Sequence, residues 1–364
     1  MKIIMDILTP KQSMFFARLS ENLEKRGHQL FRTTRRYREV LQTLKLKGID
    51  ALVVGEHGGK MLIDKLKSSA QRTLKLASIF EEIKPNVSIS FSSPEMARVS
   101  YGLRVPHLCI NDSPHAEAVA RLTIPLSERL LTPKIIPKKV WTKYGISPNN
   151  IVQYNALDPW VWLKDFKPNP KILKELRLDE SKPILTFRTE EAFAAYLLDK
   201  AEKGTLLIPL IRKILEKSKN LQIVVLPRYE EQIKTLRETF KDKIIICDSV
   251  VDGSSLLYYT SVFVGAGGTM TAEAALLGIP TFSCYPGEPF IIEQYLIRKK
   301  LITRETDSEK MVKKILEILG DVNHVKERNL KIVQRLVKNF EDPIDTIIRE
   351  IEKLGESQGN IIKL

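Results

Sequence analysis

Short apolar runs alternate with amphipathic helical patterns along this chain, and this alternation limits the fold more than any other feature. Strand patterns over 2–6, 28–33, 87–91 and 107–110 are each followed by a helical pattern, and a second series of the same kind runs over 184–264. Such alternation with short loops predicts parallel sheets covered by helices. At 364 residues the chain also exceeds what one core usually supports. We therefore predict an α/β fold with two doubly wound domains.

A proline-rich stretch separates the two series. Prolines at 159, 168, 170 and 183 break the periodicity there, which is typical of a connection between domains. The predicted organisation is an N-terminal domain over 1–155, a linker over 156–183 and a C-terminal domain over 184–340. A final helix over 341–364 is a candidate to cross back to the N-terminal domain.

Composition limits the class of protein and its partners. The contents of 43% hydrophobic and 28% charged residues are those of a globular chain, and the apolar runs are too short to span a membrane. The N-terminus has the pattern of a strand, not of a signal peptide. Cys109, Cys247 and Cys284 have no metal spacing and are expected to be free thiols in a reducing cytoplasm. The net charge of +14 favours an anionic partner.

Basic residues are concentrated in one part of the first domain. They are Arg32, Arg35, Arg36, Arg38, Lys45 and Lys47, followed by Lys60, Lys65, Lys67, Arg72 and Lys75. One interpretation is a solvated basic helical face. The other is a peripheral contact of the Arg32–Lys47 helix with lipid phosphates at the inner membrane surface. Nucleic acid is a weaker candidate, because no recognised motif is present and aromatic residues are not interleaved with the basic ones.

The stretch 262–280 predicts a strand, a glycine turn, a helix opening at Thr269 and a second strand near Pro280. Gly265, Gly267 and Gly268 permit positive φ and close approach of a ligand, and a helix N-terminus favours a phosphate. Glu273 lies one turn into the helix, where its carboxylate could accept hydrogen bonds from sugar hydroxyls. The alternative is that the glycines only permit close helix–strand packing.

The run 267–280 resembles the C-terminal signature of GT-B glycosyltransferases and the related non-hydrolysing UDP-GlcNAc 2-epimerases. In those families two Rossmann-like domains face each other across a cleft, the glycine turn meets the diphosphate and the glutamate binds ribose. The segments 6–12, 111–115, 188–191 and 283–286 also resemble an uncharacterised, mostly archaeal branch of that superfamily, the domain of unknown function 354.

The resemblance implies further donor contacts in the second domain. Arg188 would add charge beside the diphosphate, unless it pairs with Glu190 or Glu191 at the surface. Arg228 and the segment 249–255 lie where that family contacts the base. Glu288 lies in a loop that places an acid near the donor sugar in many relatives, and its alternative is an exposed turn residue.

In the first domain the most concentrated polar cluster is 111–115. Asp112 or His115 could be the general base for an acceptor hydroxyl, while Asp112 or Ser113 could instead cap a helix opening at Pro114. Asp6 is expected to bind loop N–H groups. The acceptor-loop candidates are Thr9, Lys11, Gln12 and Ser13.

We therefore expect a metal-independent glycosyltransferase with a nucleotide-sugar substrate, most simply UDP-linked, a lipid-linked or glycan acceptor and no other cofactor. The five histidines show no metal-ligand spacing. One alternative is an epimerase, since His115-Ala-Glu117 resembles an element of the 2-epimerases. The matching loop 187–190 lacks the histidine of that family, and 90–94 lacks its acid. The other alternative is a nucleotide-sugar-binding protein without turnover.

Overall fold

The computed structural model describes residues 1–59, 61–190, 205 and 207–361, without the side chains of 357–361. Lys60 of the basic patch and Glu191 of the 188–191 segment lie outside the described residues. The chain forms two compact units, one of residues 1–162 with 340–364 and the other of residues 163–339. The boundary thus falls inside the segment 156–183 that the sequence suggests as a linker.

The first unit contains a seven-stranded sheet. Its strands are β1 (Lys2–Ile7), β2 (Gln29–Arg36), β3 (Leu52–Glu56), β4 (Val87–Ser90), β5 (His107–Ile110), β6 (Arg129–Pro133) and β7 (Ile151–Tyr154). Their order is β3-β2-β1-β4-β5-β6-β7 and every pair is parallel. This is the order of a doubly wound sheet, in which ligands bind outside the carboxyl ends of the strands.

Six helices connect these strands, and a seventh follows β7. They are α1 (Pro10–Lys25), α2 (Arg38–Leu46), α3 (Leu62–Ile83), α4 (Pro94–Gly102), α5 (Glu117–Thr123), α6 (Lys138–Thr142) and α7 (Trp160–Leu163). Local sequence explains where two of them begin. Thr9 caps α1 and Ser93 caps α4 by accepting a backbone N–H, and each is followed by proline. The apolar face of α1 then buries Phe15, Phe16 and Leu19 in the core.

The predicted basic helix over Arg32–Lys47 is wrong, because Arg32, Arg35 and Arg36 belong to β2. The β-branched Thr33 and Thr34 favour a strand and pair in parallel register with Asp6 and Ile7 of β1. Only Arg38–Leu46 is helical. The charges of two of these arginines are also matched, since Arg32 pairs with Glu24 and Arg36 with Glu56.

Arg72 is not part of a solvated basic face, and Asp6 does not bind loop N–H groups. The two side chains form a buried ion pair, with distances of 2.5 and 2.8 Å between guanidinium nitrogens and carboxylate oxygens. Thr33 donates to the same carboxylate, and Arg72 Nε donates to the carbonyl of Val54. Burial raises the pKa of Asp6, but the charge of Arg72 outweighs it and holds the pKa below its usual value. The pair therefore ties α3 to β1 and β3.

The second unit contains a six-stranded sheet. Its strands are β8 (Ile184–Arg188), β9 (Gln222–Leu226), β10 (Ile245–Ile246), β11 (Val262–Gly265), β12 (Thr281–Ser283) and β13 (Ile302–Arg304), in the parallel order β10-β9-β8-β11-β12-β13. The described helices are α8 (Lys171–Glu175), α9 (Leu207–Lys217), α10 (Glu230–Phe240), α11 (Gly253–Tyr259), α12 (Thr269–Leu276), α13 (Ile291–Arg298), α14 (Ser308–Leu319) and α15 (Val322–Val337). Two doubly wound units confirm the predicted fold class.

The last helix, α16 (Pro343–Ile361), packs on α1 and β4 of the first unit. Ile344, Ile347, Ile348 and Ile351 form a buried stripe at helical spacing, which explains this attachment. The chain is held where it re-enters the first unit by two hydrogen bonds. The backbone N–H of Asn155 donates to the Glu341 carboxylate, and the backbone N–H of Glu341 donates to the Asn155 carbonyl. In the described part of the chain, no helix combines the length and apolarity needed to cross a bilayer.

Candidate functional site

The glycine turn of the second unit lies between β11 and α12. Gly267 and Gly268 have φ of +83° and +88°, which side-chain-bearing residues rarely adopt, and α12 begins at Thr269 as the sequence predicts. No side chain caps this helix, so its N-terminus is open to an anion.

Gly265 fits the packing alternative that the sequence leaves open. Its φ is not positive. A Cβ there would lie 2.8 Å from Thr271 Oγ1 and 2.9 Å from the Phe263 ring. Gly265 is therefore required for packing beneath the turn.

Arg228 is the arginine that reaches the glycine turn. One of its terminal nitrogens lies 3.9 Å from the position that a Cβ on Gly268 would occupy. Its Nε donates to the carbonyl of Thr189, and its backbone N–H donates to Gln232, so two contacts orient the residue. A guanidinium held beside a helix N-terminus adds charge where a phosphate would bind.

Arg188 lies in strand register with Gly265 but is directed to the backbone. One of its terminal nitrogens donates to the carbonyls of Leu226 and Pro227, at 3.2 and 3.1 Å. These two residues immediately precede Arg228. Arg188 therefore supports the loop that carries Arg228, while its predicted phosphate contact stays a prediction. The neighbouring Glu190 is buried and accepts a hydrogen bond from Thr205.

Glu273 lies one turn into α12 and is held by α11. Ser254 Oγ donates to one Glu273 carboxylate oxygen at 3.0 Å, and Ser254 is buried. Asp252 caps α11 by accepting from both the N–H and the hydroxyl of Ser255. The segment 249–255 thus positions the carboxylate that the sequence suggests for ribose.

Glu293 is a candidate that sequence reasoning missed. It lies on α13, and one of its carboxylate oxygens is 2.8 Å from the position that a Cβ on Gly267 would occupy. Only 6% of the residue is exposed, and neither oxygen has a hydrogen-bond partner of good geometry among the described residues. Burial raises the pKa of Glu293, and the nearby Ser283 hydroxyl and the charge of Arg304 offset only part of this effect. The one available signal was an acid inside the apolar run 289–297.

Glu288, the predicted contact to the donor sugar, is exposed.

The first unit carries a separate cluster of charges at the carboxyl ends of its strands. Lys11 Nζ lies 2.5 Å from Asp112 and 2.6 Å from Asp158, and 5.1 Å above the centre of the Phe91 ring. Tyr154 donates to the other oxygen of Asp158 at 2.5 Å. The Asp158 side chain has no exposed surface. Sequence reasoning missed Asp158, because it lies in the segment interpreted as a linker.

The two carboxylates of this cluster differ in the direction of their pKa shifts. Burial and the charge of Asp112 raise the pKa of Asp158 to about 6, although Lys11 opposes them. Burial also raises the pKa of Asp112, but the charge and hydrogen bond of Lys11 outweigh it and hold that pKa below its usual value. The two carboxylates raise the pKa of Lys11 more than burial lowers it. Lys11 is therefore a fixed positive charge between two acids.

The other acceptor-loop candidates build the turn around Lys11. Thr9 accepts the N–H of Gln12, and Ser13 donates to the carbonyl of Thr9. Gln12 accepts from the N–H of Leu8 and donates to the carbonyl of Phe91. These bonds fix the loop geometry and leave Lys11 as the member directed at other charges.

The predicted helix cap at 112–114 is wrong. α5 begins at Glu117, and neither Asp112 nor Ser113 caps it. Asn111 instead accepts the N–H of Ser113, a local turn that competes with helix formation, and Ser113 donates to Asp112. His115 is exposed in this loop. Desolvation lowers the pKa of His115 and the charge of Asp112 opposes it, so the imidazole is neutral at pH 7.

All three cysteines are free, and in residues 1–59, 61–190, 205 and 207–361 no group of three potential ligands among His, Cys, Asp and Glu could hold a metal ion.

Two doubly wound units, with an open glycine turn in the second, define the GT-B fold, and solved structures of that fold match the whole chain. A UDP-GlcNAc 2-epimerase from Neisseria meningitidis bound to UDP-GlcNAc has a TM-score of 0.74 and 13% identity, with 97% of this chain and 100% of that chain covered. The Methanocaldococcus jannaschii UDP-GlcNAc 2-epimerase in complex with UDP-GlcNAc and UDP has a TM-score of 0.69 and 16% identity, with 100% and 99% covered. The spinosyn forosaminyltransferase SpnP has a TM-score of 0.63 and 15% identity, with 98% and 99% covered.

Residues 1–354 match the family described as Protein of unknown function (DUF354), and the chain belongs to that family. An uncharacterized protein of Methanocaldococcus jannaschii, MJ0665, is 28% identical over 351 residues, which are 95% of this chain and 96% of that protein. The resemblance that the sequence suggests is thereby confirmed.

Proposed function

We propose that this protein transfers a sugar from a nucleoside diphosphate donor, most simply a UDP-sugar, to an acceptor hydroxyl bound by the first unit. The observation that carries the proposal is the position of the Arg228 guanidinium, 3.9 Å from the Cβ position of Gly268 at the open start of α12. A diphosphate there would meet backbone N–H groups, a helix dipole and a fixed cation together.

Each part of the donor has a matching group in the second unit. The diphosphate binds at Gly267, Gly268 and Thr269, with Arg228 neutralising charge as it develops on the leaving group. This arrangement supplies the positive charge without a metal ion. Glu273, held by Ser254, accepts hydrogen bonds from the ribose. Glu293 accepts from hydroxyls of the donor sugar, which would satisfy its buried carboxylate.

In the transfer step, the acceptor oxygen bonds to the anomeric carbon as the bond from that carbon to the diphosphate oxygen breaks. The acceptor proton passes to a base of the first unit. His115 suits this role better than Asp112, because it is exposed and neutral at pH 7, whereas the lowered pKa of Asp112 makes it a weak base. Lys11 and Asp158 then hold Asp112 in place.

The second candidate is epimerisation of a nucleotide sugar, and the observation that favours it is the pair of unequal carboxylates around Lys11. Elimination and re-addition need groups that lose and gain protons, and the pKa of Asp158 is about 6. Two further observations favour transfer, because they concern the acids nearest to the two epimerase-like elements of the sequence. Glu95, the first acid after 90–94, is buried beside Arg72. Glu117, the glutamate of the element 115–117, pairs with Arg121 one helical turn away. A protein that binds nucleotide sugars without turnover is the third outcome.

The test combines a binding measurement with a product assay. The full chain is titrated with UDP by calorimetry, and Arg228→Met is compared with Arg237→Met. Arg237 is an exposed arginine that pairs with Asp248, so it serves as the control. We expect Arg228→Met to weaken UDP binding at least tenfold and Arg237→Met to leave it unchanged. Equal affinities for all three proteins would refute the donor site.

Products then separate the three functions. The protein is incubated with UDP-GlcNAc and related donors, with and without an acceptor extract. Release of UDP only when the extract is present supports transfer, and an epimerised nucleotide sugar supports the second candidate. Binding with no product supports the third.

A further inference from the structure

The start of α3 leaves apolar side chains uncovered. Every residue from Met61 to Lys67 is exposed, and the exposed fraction reaches 81% for Leu62 and 66% for Leu66. More than half of Met61 and of Ile63 is exposed as well. We call Met61, Leu62, Ile63 and Leu66 the α3 apolar tip. Single apolar residues are ordinary on a surface, whereas four of them in six residues are typical of a binding face.

Further apolar side chains are exposed on α3 and on the neighbouring β3. Leu74 is exposed further along α3, and Leu52 and Val53 are exposed on β3. β3 is the edge strand of the first sheet and packs against α3. The tip is anchored to the unit at its base, because Gly58 lies close against the backbone of Lys65.

The charges around the tip are mainly positive. Lys65, Lys67 and Lys75 are exposed on α3, and Asp64 is the one acid between residues 61 and 75. Arg72, the remaining cation of this stretch, is turned into the core and neutralised by Asp6. Lys65 and Lys67 thus lie beside the apolar tip and face solvent with it.

We propose that the α3 apolar tip inserts into the headgroup region of a bilayer containing anionic lipids, with Lys65 and Lys67 against the lipid phosphates. Apolar residues flanked by lysines are what an interfacial helix presents to such a surface. This proposal moves the membrane contact from Arg32–Lys47, where Arg32 pairs with Glu24 and Arg36 with Glu56, to α3. It does not depend on the proposed transferase activity.

Charge favours a membrane over a second copy of the chain. A symmetric dimer through this face would bring the exposed lysines of both copies into one interface, where like charges repel. An anionic lipid surface complements them instead. Self-association through the tip is therefore the outcome that the test must separate.

The experiment is co-sedimentation of the full chain with vesicles of phosphatidylcholine alone and with one-third phosphatidylglycerol. The test variant is Leu62→Ser with Ile63→Ser and Leu66→Ser. The matched control is Tyr101→Ser with Leu103→Ser and Leu122→Ser, which removes three other exposed apolar residues of the first unit. A charge variant, Lys65→Glu with Lys67→Glu, tests the electrostatic part. Melting temperatures identify any variant that is misfolded.

We expect binding to the anionic vesicles that weakens as salt increases, because the lysine contribution is screened. The test variant should bind at least about tenfold more weakly and the charge variant several-fold more weakly, while the control binds like the wild type. Failure of the wild type to sediment with anionic vesicles overturns the proposal, as does equal binding of the test variant. Analytical ultracentrifugation showing a dimer that the test variant abolishes would also overturn it.

Discussion

Lys11 Nζ lies 2.6 Å from a carboxylate oxygen of Asp158, and the Asp158 side chain has no contact with solvent. Removing one partner of a buried cation strongly destabilises the folded protein, because part of the buried charge is left uncompensated. We predict that Asp158→Ala lowers the free energy of unfolding by about 3 kcal/mol, since Asp112 remains to pair with Lys11. Urea unfolding at pH 7 measures the change. The control is Glu117→Ala, which breaks the exposed pair with Arg121 and should cost at most about 0.5 kcal/mol. Equal losses would contradict a buried, charge-dependent cluster.

Glu273 should recognise ribose through its hydroxyls. We predict that the wild type binds UDP at least about tenfold more tightly than a UDP analogue lacking both ribose hydroxyls, because hydrogen bonds to a carboxylate are strong. Glu273→Ala should bind the two ligands equally. Calorimetry with both ligands and both proteins gives the coupling directly. A variant that still prefers UDP would show that another group contacts the ribose.

The buried Glu293 carboxylate should reduce stability while serving the site. Because its pKa is raised in the folded protein, the unfolding free energy falls as pH rises above the value of about 4.5 expected for the unfolded chain. We predict that Glu293→Gln gains about 1 kcal/mol at pH 8 and nothing at pH 4.5, and that it binds UDP-sugars more weakly. Unfolding curves at the two pH values measure the gain. Glu288→Gln, at an exposed position, is the control, and a loss of stability on replacing Glu293 at pH 8 would be inconsistent with this view.

His107 should make the fold sensitive to acid. Its ring nitrogens lie 2.8 and 3.1 Å from the hydroxyls of Ser88 and Ser90, and burial lowers its pKa to about 3. Below pH 6.5 the His107 side chain is protonated in the unfolded chain but stays neutral in the folded chain. The contribution of His107 to stability is therefore complete above pH 6.5 and is lost as pH falls toward 3, by up to about 1.4 kcal/mol per pH unit. Stability measured between pH 7 and 4 should fall less steeply for His107→Gln, and parallel profiles would refute the assignment.

Gly265 should be irreplaceable for packing rather than for backbone freedom. A Cβ there would crowd Thr271 and Phe263, so Gly265→Ala should cost about 1–3 kcal/mol. Gly253 also has an ordinary φ, and the nearest atom to its added Cβ is 3.5 Å away. Gly253→Ala should therefore change the unfolding free energy by less than about 0.5 kcal/mol. Thermal and urea unfolding of both variants test this difference.

Short sequence patterns predicted those features of the fold that depend on residues close together in the chain. The order of strands and helices, the glycine turn and the start of α12 at Thr269 all follow from signals within about twenty residues. Glu293 and Asp158 could not be found in this way. Glu293 comes to the turn from the helix after the next strand, and Asp158 reaches Lys11 across more than 140 residues of chain. Only tertiary packing creates these neighbours.

Charge was the least reliable signal. The sequence predicts one patch of Arg32, Arg35, Arg36, Arg72 and exposed lysines, because it shows the sign of these residues and not their partners. Arg72 lies in the core, since Asp6 and the carbonyl of Val54 satisfy it there. Pairing of arginine charges with residues that are distant in the sequence thus changed both where the exposed basic surface lies and what it can bind.

The first unit closes only when residues 340–364 return to it, after the whole of the second unit. During synthesis on the ribosome, the face of α1 and β4 that α16 covers stays uncovered until the whole of the second unit has been made. Shortened chains lacking α16 would expose that face permanently, whereas residues 163–339 could be excised without removing any strand of the first sheet.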